Sequence, residues 1–311
     1  MTNAAASSTD ETSSPSVTVF APAKINLILR ILDRRPDGYH NLWSVMQTVA
    51  LEDRLEIRST TVRGEIRLHC DVPGLAVDQT NLVHRAAAAM LDRAQSQAGL
   101  EITLSKRIPM GAGLGGGSSD AAATLLGVNR VLKLGWSPAQ LSEVGQPLGS
   151  DVPFFLYAPT ASIAGRGELV KPISLEGAKG VLLVNPGFGV ETKWAYQELA
   201  ATRGSVRSLS PVHQGLDRFQ SLTWSQLIES AENDFEAPVF SKHGSLRDIK
   251  QALLGAGAEL ALLSGSGATV FGVYPSEAAA RAAAAQFTPQ RGLKVFVVST
   301  CSGPLVVAPG S

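Results

Sequence analysis

Five glycines fall within seven residues in the run MGAGLGGGSSD, at Gly111, Gly113, Gly115, Gly116 and Gly117. A strand or helix interior tolerates such a run poorly, because glycine loses more backbone freedom on ordering than any other residue. A loop suits it, since glycine alone turns freely through positive φ and lets the backbone approach a ligand closely. Upstream, EITLS (Glu101 to Ser105) has strand character and leads through Lys106, Arg107, Ile108 and Pro109 into the loop. Downstream, AAATLLGVNRVLKL reads as a buried helix. Amides at a helix start are unpaired, and the helix dipole favours an anion there. Strand, loop and helix start together make a phosphate cradle.

Three familiar phosphate-binding patterns fail. Gly111, Gly113 and Gly116 satisfy G-x-G-x-x-G, but positions 132 to 136 read Leu-Lys-Leu-Gly-Trp. The acid that a dinucleotide fold carries about twenty residues on is therefore missing. No lysine follows the last glycine as a P-loop requires, and H-R-D and D-F-G are absent.

The chain has 311 residues, which makes two domains the default expectation. Its 27 basic and 27 acidic residues balance, so charge gives no reason to expect nucleic acid or an anionic membrane as partner. Cys70 and Cys301 are the only cysteines, too few for a disulfide framework and without zinc-site spacing, as suits a reducing cytoplasm. Residues 1–16 are small and polar, without the basic start and apolar stretch of a secretory signal, and read as a disordered tail. No apolar run reaches the length of about 18 residues that spans a membrane.

Along the chain, Ile25, Leu27, Leu29 and Ile31 alternate with Asn26, Ile28, Arg30 and Leu32, which predicts a strand with one face toward a core. Strands are also expected at Arg54 to Arg58 and Glu65 to His69. Thr80 and Asn81 precede an alanine-rich helix, and Ser137, Pro138 and Gln140 form a capping box with proline at the first helical position. A loop with Gly149, Ser150 and Asp151 follows. Past Pro172 come the buried strand GVLLVN, the turn PGFGV, the helix-like TKWAYQELA and a helix opened by Ser245 and Asp248. Strands at Leu260 to Leu263, Thr269 to Tyr274 and Lys294 to Ser299 flank a helix at Glu277 to Gln286. Strands and helices mix without strict alternation, so the class is α+β with antiparallel sheets.

PMGAGLGGGSSDAA resembles the phosphate-binding motif of GHMP kinases, a superfamily that includes galactokinase, homoserine kinase and mevalonate kinase. PAKINL (Pro22 to Leu27) and SGSGATVFG (Ser264 to Gly272) resemble its other two motifs, in the same order. The three-glycine GLGGGSS form, GSDVPFFL (Gly149 to Leu156) and RRPDGYHNL (Arg34 to Leu42) narrow the resemblance to the diphosphocytidyl-methylerythritol kinase branch. It covers Val17 to Ser302. Ser150, where alanine is common, and Asp120, where some members carry asparagine, are small departures.

The resemblance implies a two-domain GHMP kinase fold, with a ribosomal-protein-S5-like N-terminal domain over 17–172 and a ferredoxin-like C-terminal domain over 173–303. Residues 1–16 and 304–311 are then tails. It implies ATP with Mg²⁺ as co-substrate and 4-diphosphocytidyl-2-C-methyl-D-erythritol as acceptor, phosphorylated on its 2-hydroxyl. Lys24 and Asp151 become the catalytic pair, Asp151 accepting the hydroxyl proton and Lys24 orienting it.

For ATP, the resemblance points to Pro109, Met110, Gly111, Ala112, Gly113, Leu114, Gly115, Gly116, Gly117, Ser118 and Ser119, with Asn81 and Lys106 at the adenosine part. Ser119 is the candidate Mg²⁺ contact. Gly265, Ser266 and Gly267 form the C-terminal glycine loop. For the acceptor, Tyr39 would stack on cytosine, His40 would hydrogen-bond its edge and Tyr196 would oppose Tyr39, with Phe188 an alternative to Tyr196. Thr192 and Asn26 would contact the diphosphate or erythritol part. A cytoplasmic monomer or homodimer is expected. Rival readings are another GHMP small-molecule kinase, a non-catalytic nucleotide-binding sensor of the same fold, and an RNA binder disfavoured by zero net charge.

Overall fold

The computed structural model describes residues 15–35, 38–157, 159–203, 208–287 and 292–310. Residues 1–14 of the expected tail, Pro36 and Asp37 of the RRPDGYHNL segment, and residue 311 lie outside the described residues.

Two long strands, β1 (Ser16–Arg34) and β2 (His40–Thr60), pair antiparallel over most of their length. β3 (Ile66–Cys70), α1 (Leu82–Arg93), β4 (Gly99–Ser105) and α2 (Gly116–Val131) follow. Next come α3 (Pro138–Gly145), α4 (Val152–Tyr157), β5 (Thr160–Gly165) and β6 (Leu169–Pro172). β2 serves two neighbours: Leu42 to Gln47 pair with β5, and Arg54 to Thr60 pair with β4. Sequence alternation predicted only the second half of this strand.

The second half of the chain opens with β7 (Ser174–Leu175), β8 (Gly180–Asn185), α5 (Thr192–Thr202), α6 (Pro211–Asp217), β9 (Ser221–Leu222) and α7 (Trp224–Glu229). It continues with β10 (Glu232–Asn233), α8 (Glu236–Lys242), α9 (Gly244–Gly255), β11 (Leu260–Leu263), β12 (Val270–Tyr274), α10 (Glu277–Ala284), β13 (Lys294–Ser299) and β14 (Val307–Pro309). A four-stranded antiparallel sheet runs β11-β12-β8-β13. Every residue of β8 is buried, so its sequence is apolar without alternation.

β1 departs from the one-faced strand expected. Val17, Val19 and Ala21 share one apolar cluster with Ala121, Ala122 and Val128 of α2. Ala23, Ile25 and Leu27 share another with Leu183 of β8 and Phe271 of β12. Leu29 and Ile31 return to the first. The register with β2 shifts at the same places: β2 carries two extra residues between the partners of Pro22 and Ala23, and β1 carries one, Leu27, between Asn26 and Ile28, where the side chains that follow turn to the other face. The strand thus packs on both halves of the molecule.

Two further readings change. Ser245 does not cap α9: His243 holds the N-cap position, without a side-chain hydrogen bond. Residues 304–311 are not wholly a tail, since β14 pairs with β1 in the register Val17↔Pro309, Thr18↔Ala308 and Val19↔Val307. β10 adds to the same strand in parallel, Ile28 opposite Glu232. The capping box at Ser137 and Gln140 is present with Pro138 behind it.

Candidate active site

The three motifs meet at Lys24. Its backbone amide donates to Leu114 O at 2.9 Å, fastening β1 to the glycine loop. Ser264 Oγ donates to Gly113 O at 2.9 Å, and the Thr269 amide donates to Ala112 O at 3.1 Å, fastening the C-terminal loop to the same segment. Gly113 and Gly115 have φ of +78° and +71°. A Cβ on Gly115 would stand 2.9 Å from Lys24 Cγ, so the lysine stem lies directly on the loop.

Lys24 Nζ donates to Asn26 Oδ1 at 2.6 Å and lies 3.8 Å from Asp151 Oδ2. Asn26 is itself held: Oδ1 also accepts from the Gly265 amide at 3.0 Å, and Nδ2 donates to Ser44 Oγ at 2.9 Å. Burial pushes the Lys24 ammonium below its ordinary value, and Asp151 acts in the opposite direction. Asp151 occupies the turn before α4, partly open to solvent, whereas Lys24 is nearly sealed.

On one side of the loop lies a cavity of about 550 Å³. Every residue from Pro109 to Ser118 lines it, as do Asn81 and Lys106, and Leu75, Leu82 and Leu104 give it an apolar wall. Asn81 caps α1 through Val83 N at 2.9 Å and donates to Ala76 O at 2.7 Å. Lys106 Nζ pairs with Asp53 and, at 2.6 Å, with Asp120. Burial alone would lower the Lys106 ammonium, but the two carboxylates outweigh it and the net direction is up.

On the other side a smaller cavity of about 170 Å³ is lined by Lys24, Asn26, Asp151, Thr192, Tyr196, Gly265 and Ser266, among others. Gly113 and Gly115 border both cavities. Thr192 begins α5, and its hydroxyl is 3.0 Å from Ser266 Oγ. Gly267, at φ +98°, completes that loop. Tyr196 in turn lines a third cavity with His40, Arg34 and Arg203.

The aromatic residues are arranged differently from the expected pair. His40 stacks on Tyr196, with ring centroids 5.1 Å apart and planes 22° from parallel. Phe235 packs edge-on against Tyr196 at 4.8 Å. Burial drives the Tyr196 phenol up to about 12, with the Asp151 charge adding to the shift. Tyr39 is exposed and carries the Arg166 guanidinium over its ring at 5.0 Å. Phe188 rests against His243, centroids 5.2 Å apart, and is not among the residues lining the His40 and Tyr196 cavities.

The two serines after the glycines part company. Ser118 lines the large cavity, whereas Ser119 is wholly buried and its hydroxyl has no partner. Among the described residues no group of three or more His, Cys, Asp or Glu is placed to hold a metal ion.

Sequence reasoning missed Asp53, Asp120, Ser44 and Arg166. One signal was present: Leu51, Asp53, Leu55 and Ile57 share a phase in β2, and a charge at a core position of a strand calls for a buried partner.

Residues 81–159 match the family model described as GHMP kinases N terminal domain, and residues 214–292 match GHMP kinases C terminal. A protein of Syntrophotalea carbinolica named 4-diphosphocytidyl-2-C-methyl-D-erythritol kinase is 44% identical over 280 residues, covering 89% of this chain and 96% of the relative. One of the same name from Citrifermentans bemidjiense is 42% identical over 282 residues, covering 91% and 98%. A crystal structure of 4-(cytidine 5'-diphospho)-2C-methyl-D-erythritol kinase superposes with a TM-score of 0.75 at 32% identity, covering 92% of this chain and all of that one. Homoserine kinase from Cytophaga hutchinsonii shares the fold at a TM-score of 0.73 and 19% identity, over 96% of this chain and 98% of its own. This chain belongs to the GHMP kinases and, within them, to the 4-diphosphocytidyl-2-C-methyl-D-erythritol kinase family.

Proposed function

We propose that the chain transfers the γ-phosphoryl group of ATP to the 2-hydroxyl of 4-diphosphocytidyl-2-C-methyl-D-erythritol, in the non-mevalonate route to isoprenoid precursors. One observation carries the reading. Two cavities meet across Gly113 and Gly115, with Lys24 and Asp151 on the smaller side. A triphosphate in the larger cavity and a hydroxyl in the smaller one are then neighbours, as in-line transfer requires.

The glycine-loop amides and Ser118 bind phosphate oxygens at the start of α2. Mg²⁺ would be carried in on ATP beside the loop amides and Ser118, and would supply charge neutralisation at the phosphates. Asp151 takes the proton of the attacking hydroxyl, and Lys24, steered by Asn26, stabilises the oxygen as its charge grows. Thr192 and Ser266 orient the polyol. The cytosine end extends past Tyr196 to His40, which bonds the base edge; the cavity that both residues line supports this path. Tyr39, supported by Arg166, offers its ring to the base. Cys70 and Cys301 are free thiols, which agrees with a cytoplasmic enzyme.

ADP release is to be measured with Mg·ATP and, in turn, diphosphocytidyl-methylerythritol, mevalonate and homoserine. Turnover confined to the cytidyl acceptor is the expected result. Turnover with another acceptor would keep the kinase and discard the pocket assignment; nucleotide binding without turnover would favour the sensor reading. Asp151→Asn should lower kcat by about 10²-fold or more while both KM values stay within about threefold.

A further inference from the structure

Asp53 and Asp120 take no part in the chemistry above, yet Asp53 is sealed beneath the glycine loop and Asp120, nearly as buried, borders the nucleotide cavity. Asp53 lies in β2, and its Oδ1 accepts from the Arg107 amide at 2.5 Å and the Ile108 amide at 2.9 Å while Oδ2 accepts from Lys106 Nζ. Asp120 lies in the first turns of α2 and accepts from the same ammonium through Oδ2. Side-chain exposure is 0% for Asp53, 4% for Asp120 and 6% for Lys106. A Cβ on Gly116 would lie 3.4 Å from Lys106 Nζ, which places the ammonium against the loop itself.

Two carboxylates on one ammonium make a poor structural device. Buried charge is costly to desolvate, and well-packed apolar side chains commonly replace a buried ion pair without loss. Here the pairing is also incomplete, because Asp120 Oδ1 is buried without a partner. The arrangement does fix a lysine that would otherwise swing on four carbons. Of its three N–H groups, two are taken by the carboxylates and one remains, on a residue that lines the nucleotide cavity.

We propose that Asp53 and Asp120 are positioning residues for the nucleoside triphosphate, holding Lys106 Nζ under the glycine loop with one N–H directed to the nucleotide. The proposal rests on the reading of Lys106 as a nucleotide-binding group. Asp53 also anchors the corner that leads from β4 into the loop, so Asp120 is the cleaner handle.

The test is a double-mutant cycle on the full-length enzyme with Asp120→Ala, Lys106→Met and the combination, reading KM for ATP, KM for the acceptor and kcat. Asp120→Ala should raise the ATP KM about tenfold, with the acceptor KM and kcat within about threefold. In the Lys106→Met background it should add nothing, because its effect runs through the ammonium. Asp120→Asn, which still offers one oxygen to Lys106, should restore an ATP KM within about threefold of the wild type. An unchanged ATP KM in Asp120→Ala, or additive effects in the cycle, would overturn the proposal while leaving Lys106 in place. An unchanged ATP KM in Lys106→Met would overturn the reading of Lys106 and the proposal with it. Should Asp120→Ala fail to fold, Asp120→Val fills the site without an oxygen acceptor and carries the same expectation.

Discussion

Lys24 shows how single residues acquire chemistry in this fold. A lysine this deeply buried resists charging, and Asp151 and the amide oxygen of Asn26 make the cation tolerable. The resemblance could place Lys24 with Asp151, because each sits in a recognisable motif. It could not show that Asn26 steers the ammonium, since that depends on Gly265 arriving from 239 residues away.

His40 yields a prediction at the same scale. Burial lowers its pKa from 6.5, Arg34 and Arg203 lower it further, and Asp33 opposes them. Between the folded value and 6.5 the unfolded chain therefore holds more protons, so stability rises with pH across that window and falls on acidification. The neutral ring stacked on Tyr196 should show an NMR titration midpoint below 6.5. His40→Gln should lose less stability than the wild type between about pH 7 and pH 5, measured by chemical denaturation. A midpoint above 6.5 would count against the packed site.

At the scale of elements, the two glycine loops behave as one. A Cβ on Gly113 would lie 2.0 Å from Ser264 O and 3.0 Å from Gly267 O, on a backbone already at φ +78°. Gly135 has a similar φ of +69° but nothing within 4 Å of the added carbon. Gly135→Ala should cost only the left-handed strain, about 1–2 kcal/mol. Gly113→Ala should cost more and also raise the ATP KM, because it wedges the loops apart. Thermal unfolding of the two variants decides it, and equal losses would mean that the loops are not packed as described. Local sequence was a good guide to several elements here. The capping box at Ser137 and Gln140 and the helix after the glycines are short-range patterns, fixed by hydrogen bonds within a few residues. Ser245 failed as a cap because α9 begins directly behind α8, with His243 serving both ends.

Across the whole molecule, β1 joins the two halves. It pairs with β2 on one edge and with β10 and β14 on the other, and its two faces enter different apolar clusters. Asp234 strengthens the junction, accepting from the Ile31 amide at 2.6 Å and pairing with Arg203 at 2.5 Å. Leu305 and Val307 pack against the main cluster, so the end of the chain contributes to the core. Removal of residues 305–311 should lower Tm by about 2–4 °C for each kcal/mol lost, with kcat at 25 °C within about twofold. A Tm equal to that of the full chain would show that β14 adds nothing.

The sequence alone determined those features whose physics is local. Glycine density demanded a loop at a helix start, alternation demanded strands, and the order of three motifs placed the chain among phosphoryl-transfer enzymes. Tertiary structure decided the rest. Where β1 passes from one apolar cluster to the other is set beside register shifts with β2 that no periodicity announces. The stacking partner of Tyr196 proved to be His40, because β2 and α5 meet there and leave Tyr39 to Arg166. Asp53, Lys106 and Asp120 lie 53 and 14 residues apart along the chain, so their shared charge exists only once β2, β4 and α2 have packed.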